Sequence, residues 1–320
     1  MSKKNIAKIV ILAISCTIVG VLLGGVIVQN RAQNYEAATR RRYNLLSKRI
    51  LIEDPNDIIL DFKALKTDVN QYIDTKIGKE NISFYFEYLP TGYSIGTNED
   101  KEVIGASLLK LPVVINVYKA AEEGKLDFDE KVALKQEWLN DGYGQLYKKG
   151  VGYELTIRQA AKLALIESDN TAIMLLFSKL AELENTKSPR ILDFVDVNYD
   201  TNSKEQILIG AQSYSSILKC LYFACYLSKE SSQEILYNLT QSESKDRLPL
   251  HIPNEVPIAH KIGTYDQAAE SDCGIVYVEK RNYILCVMVQ GSDENAINHI
   301  ANLSKLVYES ISASKSPRAL

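Results

Sequence analysis

Histidine and cysteine are scarce in this chain, three and five among 320 residues, and neither is grouped. His251, His260 and His299 lack the close spacing of a metal ligand set, so they read as structural residues, and neither a metal nor a cofactor is expected. An excess of one charge is missing too. The net charge is -3 and the sequence pI about 5.8, so the basic field that nucleic-acid binding needs is absent. No internal repeat or low-complexity tract is present, which excludes a repeat architecture. Cys220 and Cys225 are expected on one helix. Cys273 and Cys286 are expected on paired strands and would bridge only if they face each other; buried free cysteine, the commoner state, is the expectation.

What remains, 46% hydrophobic and 24% charged, is ordinary for a globular protein and allows a sizeable core. One long apolar run stands out. From Ile9 to Val28 twenty residues pass without a charge, enough at the helical rise to span a bilayer core. No convincing cleavage site follows, so residues 9–28 read as an uncleaved transmembrane anchor after a short N-terminus, 1–8. Cys16 is a poor lipidation site because the run continues for twelve residues beyond it. Lys3, Lys4 and Lys8 precede the span, while Arg31, Arg40, Arg41, Arg42, Lys48 and Arg49 follow it. A bare count therefore places the C-terminal side in the cytoplasm, although large domains translocate despite such charge.

Residues 29–58 read as a stalk or linker, 59–315 as a single domain and 316–320 as a tail. Within the domain "ILDFKALKTDVNQYIDTKI" has helical periodicity, and "NISFYFEYLPTGYSIGTNED" reads as two strands joined at Pro90-Thr91-Gly92. Helices dominate to about residue 240. "VPIAHKIGTY", "CGIVYVEK" and "NYILCVMVQG" then read as three strands, the last two a hairpin around Lys280-Arg281-Asn282, before a closing helix. Strands at both ends with helices between predict an α/β fold, an antiparallel sheet of about five strands flanked by helices.

Three short motifs carry chemistry. In "IGASLLKLPV" Ser107 precedes Lys110 by three residues, which puts both on one helical face. The helix it opens, "LLKLPVVINVYKAAEEG", is apolar on most sides and stops at Gly124. A lysine at the mouth of such a helix is partly desolvated, which favours the neutral amine able to take a hydroxyl proton. The same spacing at Ser216/Lys219, Ser242/Lys245 and Ser312/Lys315 has no such setting.

The second motif is Ser168-Asp169-Asn170, between two helices of "LTIRQAAKLALIESDNTAIMLLFSKL", the first with Thr156 and Gln159 as a capping box. Asp169 or Asn170 either caps the second helix or serves a site, Ser168 as a proton relay and Asn170 as an amide for an acyl substrate. The third is "AHKIGTYD", where alternation sends Lys261 and Gly263 to one face and Gly263 permits close approach of a ligand.

Taken in this order, the motifs resemble those of the penicillin-recognising serine enzymes, and most closely the class A β-lactamase-like serine hydrolases, over roughly residues 59–315. The resemblance implies a β-lactamase/transpeptidase-like fold, with Ser107 as acylated nucleophile and Lys110 as its base or relay. It implies that Ser168 passes a proton to the leaving nitrogen, Asn170 holds substrate amide, and Lys261 favours anionic groups. Gly263 lies in the same motif, and the N–H groups of Ser107 and Thr264 form the oxyanion hole. Two lysines near Ser107 would depress each other's pKa. The implied substrates are β-lactams or peptidoglycan peptides. Because these lie outside the membrane, the domain is expected there, with its only other partner the bilayer through 9–28.

Two positions depart from the pattern. Ile262 stands where the family carries Thr or Ser, which removes a hydroxyl that meets substrate carboxylate. The segment "ENTKSPRILDFVDVNYDTNSKEQIL" lacks the glutamate and asparagine that activate the deacylating water. Asp196, Asp200 and Glu205 are the candidates it offers. The two readings are an enzyme that acylates, with or without efficient turnover, which is favoured, and a binding module that keeps the fold.

Overall fold

Seven consecutive residues rich in aromatics, Ile82–Tyr88, form β1, which is buried at every position. In the computed structural model, residues 60–183, 190–197, 207–265, 268–291 and 294–313 are described, with isolated positions between 14 and 31. The N-terminus, 1–8, and the tail, 316–320, lie outside the described residues, as do most of the expected anchor, 9–28, and stalk, 29–58. Among the described residues no helix is long and apolar enough to cross a membrane. The chain divides into two compact units, and the unit Leu60–Lys315 holds the sheet and its helices.

Tyr93–Thr97 returns along β1 as β2, joined at the expected Pro90-Thr91-Gly92 turn, where Gly92 takes a φ of 75°. Short strands Val103–Ile104 (β3), Lys131–Ala133 (β4), Glu154–Thr156 (β5) and Leu208–Ile209 (β6) pair as β3–β6 and β4–β5. Ile258–Tyr265 (β7), Ala269–Val276 (β8) and Tyr283–Gln290 (β9) complete the main sheet in the order β2-β1-β9-β8-β7, antiparallel throughout. β7 is therefore an edge. β8 begins at Ala269, four residues ahead of the expected Cys273. Glu270 and Asp272 interrupt the apolar signal of that strand, yet both are buried because each has a polar partner.

The helices are Lys63–Tyr72 (α1), Lys110–Glu122 (α2), Ile157–Ile166 (α3), Asn170–Glu182 (α4), Ile191–Phe194 (α5), Ala211–Tyr222 (α6), Lys229–Thr240 (α7) and Glu294–Ala313 (α8). α1 and α8 pack together, and α8 lies against β8 and β9. Phe62, ahead of α1, meets Phe86, Tyr88 and Tyr93 at ring separations of 5.9, 5.2 and 4.5 Å. Burying each such side chain is worth roughly 1.5–3 kcal/mol. On the other face Tyr85, Cys286 and Cys273 join one core with α2, α3, α4 and α6.

Register makes this row decisive. Tyr85 pairs with Cys286, Cys286 with Cys273, and Cys273 with Lys261, so Lys261 extends the helix-facing row to the sheet edge. Cys273 and Cys286 thus do face each other, and they form a disulfide rather than the expected free thiols. Cys220 forms a second disulfide with Cys225, which lies beyond the end of α6 rather than within it.

Candidate active site

Ser107 lies in a single 3-10 turn, Ala106–Leu109, immediately ahead of α2. Ala106 before it has a φ of 44°, an uncommon conformation for a residue with a side chain. The first bond of the turn runs from the Leu108 N–H to the Gly105 carbonyl at 2.9 Å, so the Ser107 N–H precedes it. α2 begins at Lys110, carries Pro112 in its first turn, where no helical N–H is lost, and stops at Gly124 with a φ of 68°.

The turn packs directly against β7, and Gly263 is the reason it can. A Cβ at Gly263 would stand 3.0 Å from Leu108 Cγ and 3.1 Å from the Gly105 carbonyl oxygen. The close approach anticipated for a ligand is thus made by the turn that carries Ser107. Tyr214 of α6 holds the turn from the other side, its hydroxyl donating to the Leu108 carbonyl at 3.1 Å.

The structure brings Lys110, Ser168, Asn170 and Lys261 together. Lys110 Nζ donates to the Ser168 carbonyl, to Ser168 Oγ at 3.1 Å and to Asn170 Oδ1 at 2.6 Å. Lys261 Nζ reaches the same Ser168 Oγ at 2.8 Å and the Ile262 carbonyl at 3.3 Å. The hydroxyl on which both lysines converge is therefore that of Ser168. Among the described residues the Ser107 hydroxyl has no hydrogen-bond partner.

Asp169 is the cap of α4, accepting from the Ala172 N–H at 2.8 Å with one oxygen and from the Leu146 N–H at 2.8 Å with the other. The expected capping box of Thr156 and Gln159 starts α3. Ser168, between the two helices, has a φ of 55°. Asn170 is tied to the neighbouring loop, its N–H to the Tyr143 carbonyl at 2.9 Å and its amide to Asn140 Oδ1 at 3.0 Å. These bonds fix the orientation in which its carbonyl faces Lys110.

Burial dominates the electrostatics. It lowers Lys110 to about 8, and Asp169 opposes the shift. It lowers Lys261 as well, reinforced by the Lys110 charge and by Arg247, with Asp272 opposing. Two ammonium groups on one hydroxyl repel, so the pair holds its protons as a unit.

Thr264, at the end of β7, is exposed and takes part in a cluster absent from the sequence reading. Arg247 Nη2 donates to Thr264 Oγ1 at 2.8 Å and to Glu270 Oε2 at 2.5 Å, and Thr264 Oγ1 donates to Glu270 Oε2 at 2.9 Å. The one available signal was a pair of carboxylates, Glu270 and Asp272, alternating within an otherwise apolar strand. Ile262, at the departing position, is buried.

Of the deacylation candidates, Asp200 and Glu205 lie outside the described residues. Asp196 lines a separate cleft with Glu87, Gln212 and Lys219. The other Ser-x-x-Lys pairs serve elsewhere: Ser216 and Ser312 bond to their own helices, and Lys219 pairs with Glu87 at 2.5 Å. His260 bonds Asp272, and His299 Nδ1 lies 3.0 Å from the Tyr72 hydroxyl.

A five-stranded antiparallel sheet with a helical layer, and a serine turn seated between them, define a β-lactamase-like serine enzyme fold. The chain belongs to the β-lactamase enzyme family, whose model matches residues 64–311. Solved structures agree in fold. PBP-A is similar at 21% identity and a TM-score of 0.69, over 78% of this chain and 97% of its own. A PBP-A variant solved as an acyl-enzyme complex with penicillin G has the same values. The β-lactamase of Sphaerobacter thermophilus is similar at 18% identity and a TM-score of 0.69, over 79% of this chain and 99% of its own. No curated protein matches the chain.

Proposed function

We propose that the chain is a membrane-anchored serine hydrolase, with its β-lactamase-like domain outside the cytoplasm, that forms an acyl-enzyme at Ser107 with β-lactams or related cell-wall peptide amides. The observation that carries the reading is the Lys110–Ser168–Lys261 chain behind an unengaged nucleophile. Lys110 in its neutral form takes the Ser107 proton as Ser107 Oγ bonds to the carbonyl carbon. When the tetrahedral species collapses, the carbon–nitrogen bond breaks. The nitrogen takes the Ser168 proton, which a lysine ammonium replaces. The N–H groups of Ser107 and Thr264 donate to the oxyanion, and Asn170 orients the substrate amide. Lys261 attracts anionic groups, and Thr264 with Arg247 offers polar contacts where Ile262 offers none.

The uncharged run 9–28 supports the anchor. Two disulfides, Cys220–Cys225 and Cys273–Cys286, support an oxidising compartment. A second reading, a catalytically impaired penicillin- or peptidoglycan-binding module, is favoured by one observation: among the described residues the deacylation segment places no carboxylate at the lysines.

Intact-protein mass measurement with a labelled penicillin tests both. A long-lived adduct on Ser107 is expected, because acylation is equipped and, among the described residues, no carboxylate of the deacylation segment stands at the lysines. Folded protein with neither adduct nor hydrolysis would favour the binding module. Fast hydrolysis without an accumulated adduct would refute slow turnover and reveal a base elsewhere.

A further inference from the structure

On the face of the sheet opposite Lys261, on β7 and its neighbour β8, lies a buried pair that the chemistry above does not use. His260 and Asp272 are both 0% exposed. His260 Nδ1 stands 2.9 and 3.0 Å from the two Asp272 oxygens. The Leu248 N–H donates to Asp272 Oδ2 at 3.1 Å, and Ser304 of α8 donates to the Leu248 carbonyl at 2.8 Å. Gly274 makes room for the ring, since a Cβ there would lie 2.5 Å from His260 Cβ. Register puts Asp272 opposite Ile262, so it occupies the back of the sheet while Lys261 occupies the front.

The ring's other nitrogen, Nε2, is buried without a hydrogen-bond partner. A protonated ring would leave an N–H donor unsatisfied there, whereas a neutral ring with its proton on Nδ1 leaves only a lone pair, the cheaper state. His260 then orients Asp272 without cancelling its charge. The charged and titratable groups around Asp272 are His260 and Lys261 on β7 and Tyr214 on α6; those around Lys261 are Lys110, Arg247 and Asp272.

We propose that Asp272, held by His260 and the Leu248 N–H, is a positioning residue for a proton: its buried carboxylate draws the proton shared by the two lysines toward Lys261 and so frees Lys110 to act on Ser107. This rests on the function proposed above. The transfer is balanced: Lys110 Nζ gives a proton to Ser168 Oγ, Ser168 gives its own to Lys261 Nζ, and no other bond changes. A charge on the neighbouring strand in a protein interior shifts such an equilibrium by about tenfold.

The test is an NMR titration of the full chain carrying 13Cε-labelled lysine, with Lys110 and Lys261 assigned by substitution. In Asp272→Asn, Lys261 should lose its proton at a lower pH while Lys110 holds its own at least as tightly, and acylation should slow about tenfold. His260→Gln, which keeps an N–H donor without a titratable ring, should titrate as the unmodified protein does. If Asp272→Asn does not fold, Asp272→Ser is the second neutral variant. Unchanged lysine titrations in a folded neutral variant would overturn the proposal, as would a His260→Gln shift equal to that of Asp272→Asn. Should the unmodified protein take no acyl label at any pH, the proposed function fails while the titration still decides the role of Asp272.

Discussion

In the proposed function, Lys110 is the residue on which the acylation step turns. Its three hydrogen-bond acceptors, two on Ser168 and one on Asn170, match the three donors of an ammonium. To serve Ser107 it must shed a proton, and with burial lowering it to about 8, acylation should rise as pH rises through that value. Lys110→Met keeps the apolar stem and removes the base. Acylation should fall by roughly 100- to 10,000-fold, and the rise through pH 8 should vanish while the thermal midpoint stays near that of the unmodified protein. A pH profile of adduct formation by mass measurement checks both; an unchanged rate removes Lys110 from the mechanism. This residue stood out because a cation at the mouth of an apolar helix is conspicuous, whereas Ser168, Asn170 and Lys261 stood out only through the resemblance that the three motifs carry when taken in order. Arg247 and Glu270 did not, since their meaning lies in a contact between residues 23 apart, on a loop and on a strand.

At the scale of elements, the Ser107 turn is positioned by packing rather than by its own sequence. Tyr214 bonds it from α6, and Gly263 admits it to the surface of β7. Gly263→Ala places a methyl within 3.0 Å of Leu108 Cγ and 3.1 Å of a backbone oxygen, and the backbone contact cannot be relieved by a rotamer change. Overpacking of this kind costs about 1–3 kcal/mol. The variant should melt lower and acylate more slowly than its loss of stability alone explains, because the strain displaces the nucleophile. Urea midpoints measured beside acylation rates separate the two effects, and a variant that is fully active and equally stable would show that the turn does not need the glycine. The motif marked Gly263 in the sequence, but its purpose was hidden there: alternation states which face a residue occupies, not which element reaches that face. The early start of β8 was hidden for a related reason. Glu270 and Asp272 look solvent-facing until Arg247 and His260 are seen to satisfy them.

For the whole molecule, two signals in the chain point in opposite directions. Six Lys and Arg residues follow the run 9–28 within the stalk and three precede it, which taken alone keeps the domain in the cytoplasm. Against that stand the two disulfides, which persist where the cytosolic reductants do not reach. The Arg triplet at 40–42 begins more than ten residues beyond Val28, and large domains translocate largely regardless of such charge. The disulfides favour the proposed placement outside the cytoplasm, and they make the location measurable in two independent ways. A reporter active only outside the cytoplasm, fused after Leu320, should be active. Alkylation of the protein in intact cells, before any reductant is added, should leave Cys220, Cys225, Cys273 and Cys286 unlabelled, and reduction after unfolding should expose all four. Labelling of Cys225, the exposed member of its pair, without prior reduction would place the domain in a reducing compartment. An acyl-enzyme chemistry directed at cell-wall amides would then have no substrate within reach, so the same result would overturn both the location and the substrate class.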